Sequence, residues 1–243
     1  MSKSLSIIIP AYNEKATVQI LLEKVLALSL QDIQKEIIVI ESLSTDGTRE
    51  VVQDYEKRGK LRALYEDRPM GKGHAVKTGL KVASGDWILI QDADLEYDVA
   101  DYPRLLEPLV RGQTSFVLGS RHLGKQDWRY RRTAVGRGLG FVMDFGVWVY
   151  TLFFNLLYGM RLTDPCTMYK VFRRQCLDGI HLKSDGFELD WEIVAKLSRK
   201  GYPPIEIPVS YHSRSFKDGK KIKLWRDAWR SLRAIIQFRF APL

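Results

Sequence analysis

The sequence predicts an α/β fold: a mostly parallel, doubly wound central sheet with helices on both faces. Three observations carry that prediction. Short apolar runs bounded by turn residues recur through the first half, stretches of three-to-four-residue periodicity separate them, and polar residues follow each run at once. In such a sheet the ligand crevice lies beyond the carboxyl ends of the strands, so those polar residues are the first candidates for chemistry.

The strands are expected at Leu5 to Ile9, Glu36 to Ile40, Leu61 to Tyr65, Trp87 to Ile90 and Phe116 to Leu118. Helices are expected around Val18 to Leu28, Thr48 to Lys57, His74 to Val82 and Tyr102 to Val110. Beyond them the pattern is less regular, with an apolar stretch from Leu139 to Tyr158, a basic loop from Arg214 to Lys221 and a terminal helix. One domain over 1–243 is expected, with 1–122 as its regular half and 123–243 as its less regular half.

The 38 basic and 29 acidic side chains leave a net charge of +9, which suits an anionic partner without identifying it. Cys166 and Cys176 lack the spacing of a zinc site or a disulfide framework, and packed thiols in a reducing compartment are the simplest reading. The first apolar run is too short for a signal-peptide core and is closed by Pro10, so a cytoplasmic chain is expected.

Asp92 and Asp94 stand two apart after an apolar strand, where an extended chain would put both side chains on one face and continue it to Glu96. Such oxygens suit Mg2+ or Mn2+ completed by substrate phosphates, although a solvated acidic loop gives the same pattern. Gly71-Lys72-Gly73 before a helix could present backbone amides and an ammonium to phosphate, and could equally be a plain turn.

Taken in order, Ile9-Pro10-Ala11-Tyr12-Asn13-Glu14, Ser44-Thr45-Asp46-Gly47-Thr48, Gly71-Lys72-Gly73, Asp92-Ala93-Asp94-Leu95-Glu96 and Gly119-Ser120-Arg121 are far more specific than any one block. Together they resemble the family 2 inverting glycosyltransferases of GT-A fold, especially the dolichyl-phosphate mannose synthase-like group. The resemblance covers roughly residues 4–215.

It implies a nucleotide-diphosphate-sugar donor, GDP- or UDP-linked, a divalent metal and a polyprenyl phosphate acceptor. By the same resemblance Asp92, Asp94 and Glu96 are the metal set, and Asp94, Arg121 and Arg214 are the catalytic residues. Pro10, Tyr12, Asn13, Glu14, Glu41, Lys72, Asp92, Asp94, Arg121 and Arg214 bind the donor. Glu41-Ser42 stands where the family usually carries Asp-Asp, which leaves the base open. Asp164-Pro165-Cys166-Thr167-Met168-Tyr169-Lys170 resembles the family's Asp-x-x-Ser-Gly-Phe-Arg block and puts Asp164 on the acceptor side. Tyr211 and Arg214 match a Tyr-x-x-Arg loop that closes over the donor, with Lys217, Lys220 and Lys221 beyond it.

Glu188, Asp190 and Glu192 gather at a helix start, where carboxylates either favour the positive dipole end or serve the acceptor. Leu139 to Tyr158 is long enough to span a bilayer, but Asp144 and Asn155 favour a core helix or one lying at an interface. The preceding Arg129, Arg131 and Arg132 would meet lipid headgroups, and Arg131, Arg132, Asp164, Asp190 and Tyr211 make up the expected acceptor side. Leu224, Trp225, Ala228, Trp229, Leu232, Ile235 and Ile236 recur at helical spacing beside Lys223, Arg226, Arg230 and Arg233. Peripheral attachment to an anionic membrane, on its cytoplasmic face, is expected.

A phosphate monoester, with a second pKa near ~6, is already an anionic nucleophile at neutral pH and needs no dedicated base. A hydroxyl acceptor would need one, for which Asp164, Asp190 or Glu192 are the candidates. A nucleotidyltransferase would combine similar loops but release pyrophosphate, and the block order disfavours it. A nucleic-acid-binding protein would suit the charge, but no nucleic-acid motif is visible and the carboxylates would repel phosphate without a metal; no nucleic-acid partner is expected.

Overall fold

The computed structural model describes residues 3–124, 137–214 and 224–243. Its first half follows the expected alternation: β1 (Lys3–Ala11), α1 (Lys15–Ala27), β2 (Ile33–Glu41), α2 (Thr48–Lys57), β3 (Arg62–Tyr65), α3 (Lys72–Val82), β4 (Trp87–Ile90), α4 (Tyr102–Val110) and β5 (Phe116–Ser120). The second half carries α5 (Arg137–Tyr158), β6 (Lys170–Arg173), α6 (Leu189–Arg199), β7 (Ile205–Pro208) and α7 (Leu224–Phe240).

The seven strands form one sheet in the order β3-β2-β1-β4-β6-β5-β7. β6 runs antiparallel to both its neighbours, and the other pairings are parallel. The chain runs from β1 outward through β2 to β3 and then back across to β4, and by the right-handed rule for parallel crossovers this reversal would put α3 on the opposite face from α1 and α2. Accordingly α1 packs beside α2, while α3 packs on β1 and β2. The reversal between β1 and β4 is the switch point where a doubly wound sheet opens a ligand crevice.

Both faces of the central strands are covered, so they read as nearly continuous apolar runs: Leu5, Ile7, Ile8 and Ile9 of β1, interrupted by the buried Ser6, and Ile88, Leu89 and Ile90 of β4 are fully buried. α3 lies so close to this layer that a Cβ at Gly79 would come within 2.6 Å of Ile8 and 2.8 Å of Ile40. Any side chain there would have to displace those two isoleucine side chains.

β6 and β7 were not expected. Each has four residues; β6 begins with the fully buried Lys170, and β7 is an outer strand ending at Pro208, a position that tolerates the missing donor. Because β6 sits between β4 and β5, the segments on either side of residue 122 share one sheet and one core.

α5 lies alongside α7, held by Tyr150 Oη donating to the Ala228 carbonyl at 3.2 Å and Tyr158 Oη to that of Ile235 at 2.9 Å. Met143, Asp144, Thr151 and Phe154 of α5 are buried, while Phe141, Phe145, Trp148, Leu152 and Leu156 are exposed. The helix is therefore neither a core helix nor free of the protein, although its 19-residue segment Gly140–Tyr158 is long and apolar enough to cross a membrane.

Candidate active site

Three loops at the carboxyl ends of β1, β2 and β4 converge, and each contains a non-glycine residue with positive φ: Asn13 at 49°, Leu43 at 54° and Leu95 at 59°. Backbone in this region costs roughly 1–3 kcal/mol per residue and persists only where its surroundings hold it. Here side chains fix it. Asn13 N–H donates to Ser44 Oγ at 2.9 Å, Thr45 N–H to Asn13 Oδ1 at 2.8 Å, Glu14 N–H to Thr48 Oγ1 at 2.8 Å and Lys15 N–H to Asp46 Oδ2 at 3.0 Å. The Ser44-to-Thr48 block thus locks the β1 loop in place.

The lock points Glu14 at the β4 loop, where Arg214 joins the two. Arg214 Nη1 lies 2.8 Å from Glu14 Oε2, and its Nη2 lies 2.9 Å from Asp94 Oδ2 and 3.3 Å from Glu14 Oε1. On the other side Lys72 Nζ meets Asp92 Oδ1 at 2.6 Å. Burial, followed by the neighbouring Asp92 and Glu96 charges, pushes the Asp94 carboxyl up to about 7 against the pull of Arg214. Burial opposes the Lys72 ammonium, but Asp92 and Asp190 outweigh it and raise its pKa.

Several expectations need correction. Glu96 does not continue the Asp92-Asp94 face, because β4 ends at Ile90 and the positive φ of Leu95 turns the chain. Its Oε1 accepts the Arg214 N–H at 2.7 Å and its Oε2 accepts the Tyr211 hydroxyl, so it anchors the segment that carries Arg214. Gly71 and Gly73 make room for backbone: a Cβ at Gly73 would lie 2.7 Å from the Ser184 carbonyl, and His74 N–H donates to Asp185 O at 3.1 Å. Lys72 alone of that loop reaches the carboxylates.

Glu41 is fully buried, its oxygens taken by the Ser44 N–H at 2.6 Å and by Arg49, so it braces the β2 loop and does not present a carboxylate to a base. Arg121 is 6% exposed and forks onto Asp164, with Nε 2.6 Å from Oδ2 and Nη2 2.7 Å from Oδ1. Burial would raise the Asp164 pKa, yet Arg121 holds it at about 2. The same guanidinium lies 5.3 Å from the Tyr211 ring centre, directly under the segment that ends in Arg214.

Of the other acceptor-side residues, Asp190 is 7% exposed and pairs with Lys170 Nζ at 2.9 Å. Lys170 also donates to the Thr167 carbonyl. This buried cation escaped the sequence reading, although it closes the Asp164-to-Lys170 block. Glu192 is fully buried, pairs with Lys196 at 2.8 Å and accepts the Lys183 and Ser184 N–H groups, so it holds the chain before α6. Tyr211 packs edge-on against Tyr97 with ring centres 5.0 Å apart, and Tyr97 lies tilted against Tyr169 at 4.7 Å. Pro10 and Tyr12 flank the crevice, Tyr12 36% exposed. Arg129, Arg131, Arg132, Lys217, Lys220, Lys221 and Lys223 lie outside the described residues, as does the side chain of Trp225.

Asp92 and Asp94 could offer carboxylate oxygens to a hard divalent cation. Among the described residues no three His, Cys, Asp or Glu side chains form a ready cage, so two carboxylates would come from the protein and further oxygens from a diphosphate. The crowding that raises Asp94 is the electrostatic situation a cation relieves.

Residues 6–180 match the model of glycosyl transferase family 2. The chain is 27% identical over 218 residues to a dolichol-phosphate mannosyltransferase of Pyrococcus furiosus, covering 88% of this chain and 58% of that protein. It is 30% identical over 181 residues to an undecaprenyl-phosphate 4-deoxy-4-formamido-L-arabinose transferase of Aeromonas hydrophila, covering 73% and 51%. The low-salt glycan biosynthesis hexosyltransferase Agl6 of Haloferax volcanii is 27% identical over 238 residues, 97% of this chain and 54% of that one. The chain thus spans little more than half the length of these relatives. Its fold matches that of glucosyl-3-phosphoglycerate synthase from Mycobacterium tuberculosis, solved with Mn2+, UDP and phosphoglyceric acid, with a TM-score of 0.71, 19% identity, and 99% and 80% of the two chains covered.

Proposed function

The chain belongs to glycosyl transferase family 2, and from that premise we propose that it transfers a sugar, with inversion, from a nucleotide-diphosphate donor to a polyprenyl phosphate. The relatives named for dolichol-phosphate and undecaprenyl-phosphate transfer support the acceptor class. Structures of the fold neighbour with Mn2+ or Mg2+ and UDP support a divalent cation beside the diphosphate. The choice between GDP and UDP stays with the assay, since Glu41 is buried.

The observation that carries the acceptor assignment is the state of the acceptor-side carboxylates. Asp164 is committed to Arg121, Asp190 to Lys170 and Glu192 to Lys196, each largely or wholly buried. None is presented as a base for a hydroxyl. An acceptor phosphate supplies its own anionic oxygen, which attacks the anomeric carbon as the bond to the donor diphosphate breaks.

In this reading Asp92 and Asp94 would hold the cation, and when bound it would supply positive charge against the leaving diphosphate. Lys72 keeps Asp92 in place, and Arg214 supplies a charge-assisted contact to the diphosphate. The Arg121–Asp164 pair and the edge-on Tyr97–Tyr211 contact support the Tyr211-to-Arg214 segment.

The exposed apolar stripe of α5, with Trp148, and the mixed face of α7, with Trp229, Ile236 and Phe240 beside Arg226, Arg230 and Arg233, suit docking at an anionic membrane. Such docking would present the site to a lipid phosphate on the cytoplasmic face. The testing experiment offers labelled GDP- and UDP-sugars with a polyprenyl phosphate in liposomes. Chloroform-extractable, acid-labile sugar phosphate is expected; transfer only to hydroxyl acceptors would replace this reading.

A further inference from the structure

Arg214 occupies the carboxylate that a cation needs. Asp94 Oδ2 accepts from Arg214 Nη2 at 2.9 Å, and Asp94 Oδ1 accepts from the Glu96 N–H at 3.1 Å, so both oxygens are engaged. The guanidinium is also seated on Glu14 by contacts of 2.8 and 3.3 Å, and its backbone is pinned by Glu96 at 2.7 Å. Arg214 is thus not a loose surface charge that swings aside freely: it bridges the β1 and β4 loops across the crevice.

A divalent cation on Asp94 would stand beside a positive guanidinium on the same carboxylate, and at contact distance that repulsion is strong. For the cation to bind, Arg214 has to leave Asp94. A diphosphate gives the displaced guanidinium a new anionic partner, whereas water does not. The cation and nucleotide therefore help one another through Arg214.

We propose that Glu14 and Arg214 form an internal counter-charge that keeps the nucleotide-free protein from loading a divalent cation tightly, so that cation and nucleoside diphosphate bind as a coupled pair. This rests on the donor chemistry proposed above but not on the acceptor. Arg214 becomes the residue that sets cation affinity and binding order, in addition to its contact with the diphosphate.

The test measures Mn2+ binding by electron paramagnetic resonance on the full chain, first without nucleotide. Arg214→Met, which keeps much of the length and loses the charge, is expected to bind Mn2+ about tenfold more tightly than wild type, equivalent to one charge-assisted contact of ~1.4 kcal/mol. Methylguanidinium added to that variant should weaken Mn2+ binding again, which a purely structural effect would not do. GDP or UDP should tighten Mn2+ binding more in wild type than in the variant. Arg214→Lys, which keeps the charge but cannot fork between Glu14 and Asp94, should fall between the two and carries the comparison if the Met variant does not fold. Unchanged or weaker Mn2+ binding in the substituted proteins overturns the inference. A chain that shows the Mn2+ pattern yet moves no sugar would keep this inference and lose the proposed activity; active transfer with Mn2+ affinity indifferent to Arg214 would do the reverse.

Discussion

Replacing Asp164 with Asn keeps the shape of the side chain and removes the partner of a buried arginine. Arg121 and Asp164 are 6% and 0% exposed, and three N–H groups of Arg121 converge on the two carboxylate oxygens at 2.6 to 3.0 Å. The Asp164 pKa falls from 3.8 to about 2, which at ~1.36 kcal/mol per unit corresponds to roughly 2 kcal/mol of stability at neutral pH. Because the folded pKa is depressed, this contribution is complete above about pH 4 and is lost as pH falls toward about 2. Breaking the pair costs more than its net value, about 3–5 kcal/mol, since Arg121 is left buried without its anion. For a chain of this size that lowers the melting temperature by roughly 6–20 °C. Calorimetry and urea titration at pH 7 measure it, with Arg121→Met/Asp164→Leu as the control, expected to recover much of the loss by removing both charges. A loss below about 1 kcal/mol in Asp164→Asn, or a double variant as unstable as the single one, would mean that the buried pair does not hold this part of the fold.

Three further outcomes follow from the same geometry. Asp94→Asn should abolish sugar transfer while the protein stays folded; moreover, because the wild-type Asp94 pKa is raised from 3.8 to about 7, the metal-free wild type should lose stability as pH rises through that window, and the variant should lose less. Melts from pH 4 to 8 in chelator check the second part. Arg214→Ala should weaken donor binding and turnover together by roughly tenfold or more, as removal of a charge-assisted phosphate contact does; titration calorimetry with GDP and UDP, beside turnover, reads it. Trp148→Ser/Trp229→Ser, on exposed faces of α5 and α7, should leave the melting temperature within a few degrees of wild type and reduce sedimentation with anionic liposomes, and the remaining binding should fall with salt.

The strands that build the crevice were legible because they are buried on both sides: β1 and β4 read as nearly continuous apolar runs, and the first polar residues after them are the ones brought together. β6 was not legible, because its Lys170 is neutralised by Asp190 from a helix twenty positions away, and a buried charge looks like surface until its partner is known. The position of Asp92 and Asp94 could be read from the end of β4, but the direction of Glu96 depended on one positive φ at Leu95. The pairing of Arg214 with Glu14 spans 200 residues and has no local signal. Arg121 and Asp164 were each recognised as candidates, yet only the fold showed that they answer each other.

Whether the Asp92, Asp94, Lys72 and Arg214 cluster delivers a nucleotide-linked sugar to a lipid phosphate is decided by one transfer assay. Radiolabelled GDP- and UDP-sugars are offered with a polyprenyl phosphate in liposomes, with Mg2+ or Mn2+ and in excess chelator, and the anomeric configuration of the product is read by nuclear magnetic resonance. Cation-dependent formation of a lipid-linked sugar phosphate of inverted configuration, from one nucleotide class, is the expected result. Equal transfer in chelator, retained configuration, or sugar appearing only on hydroxyl acceptors would contradict it.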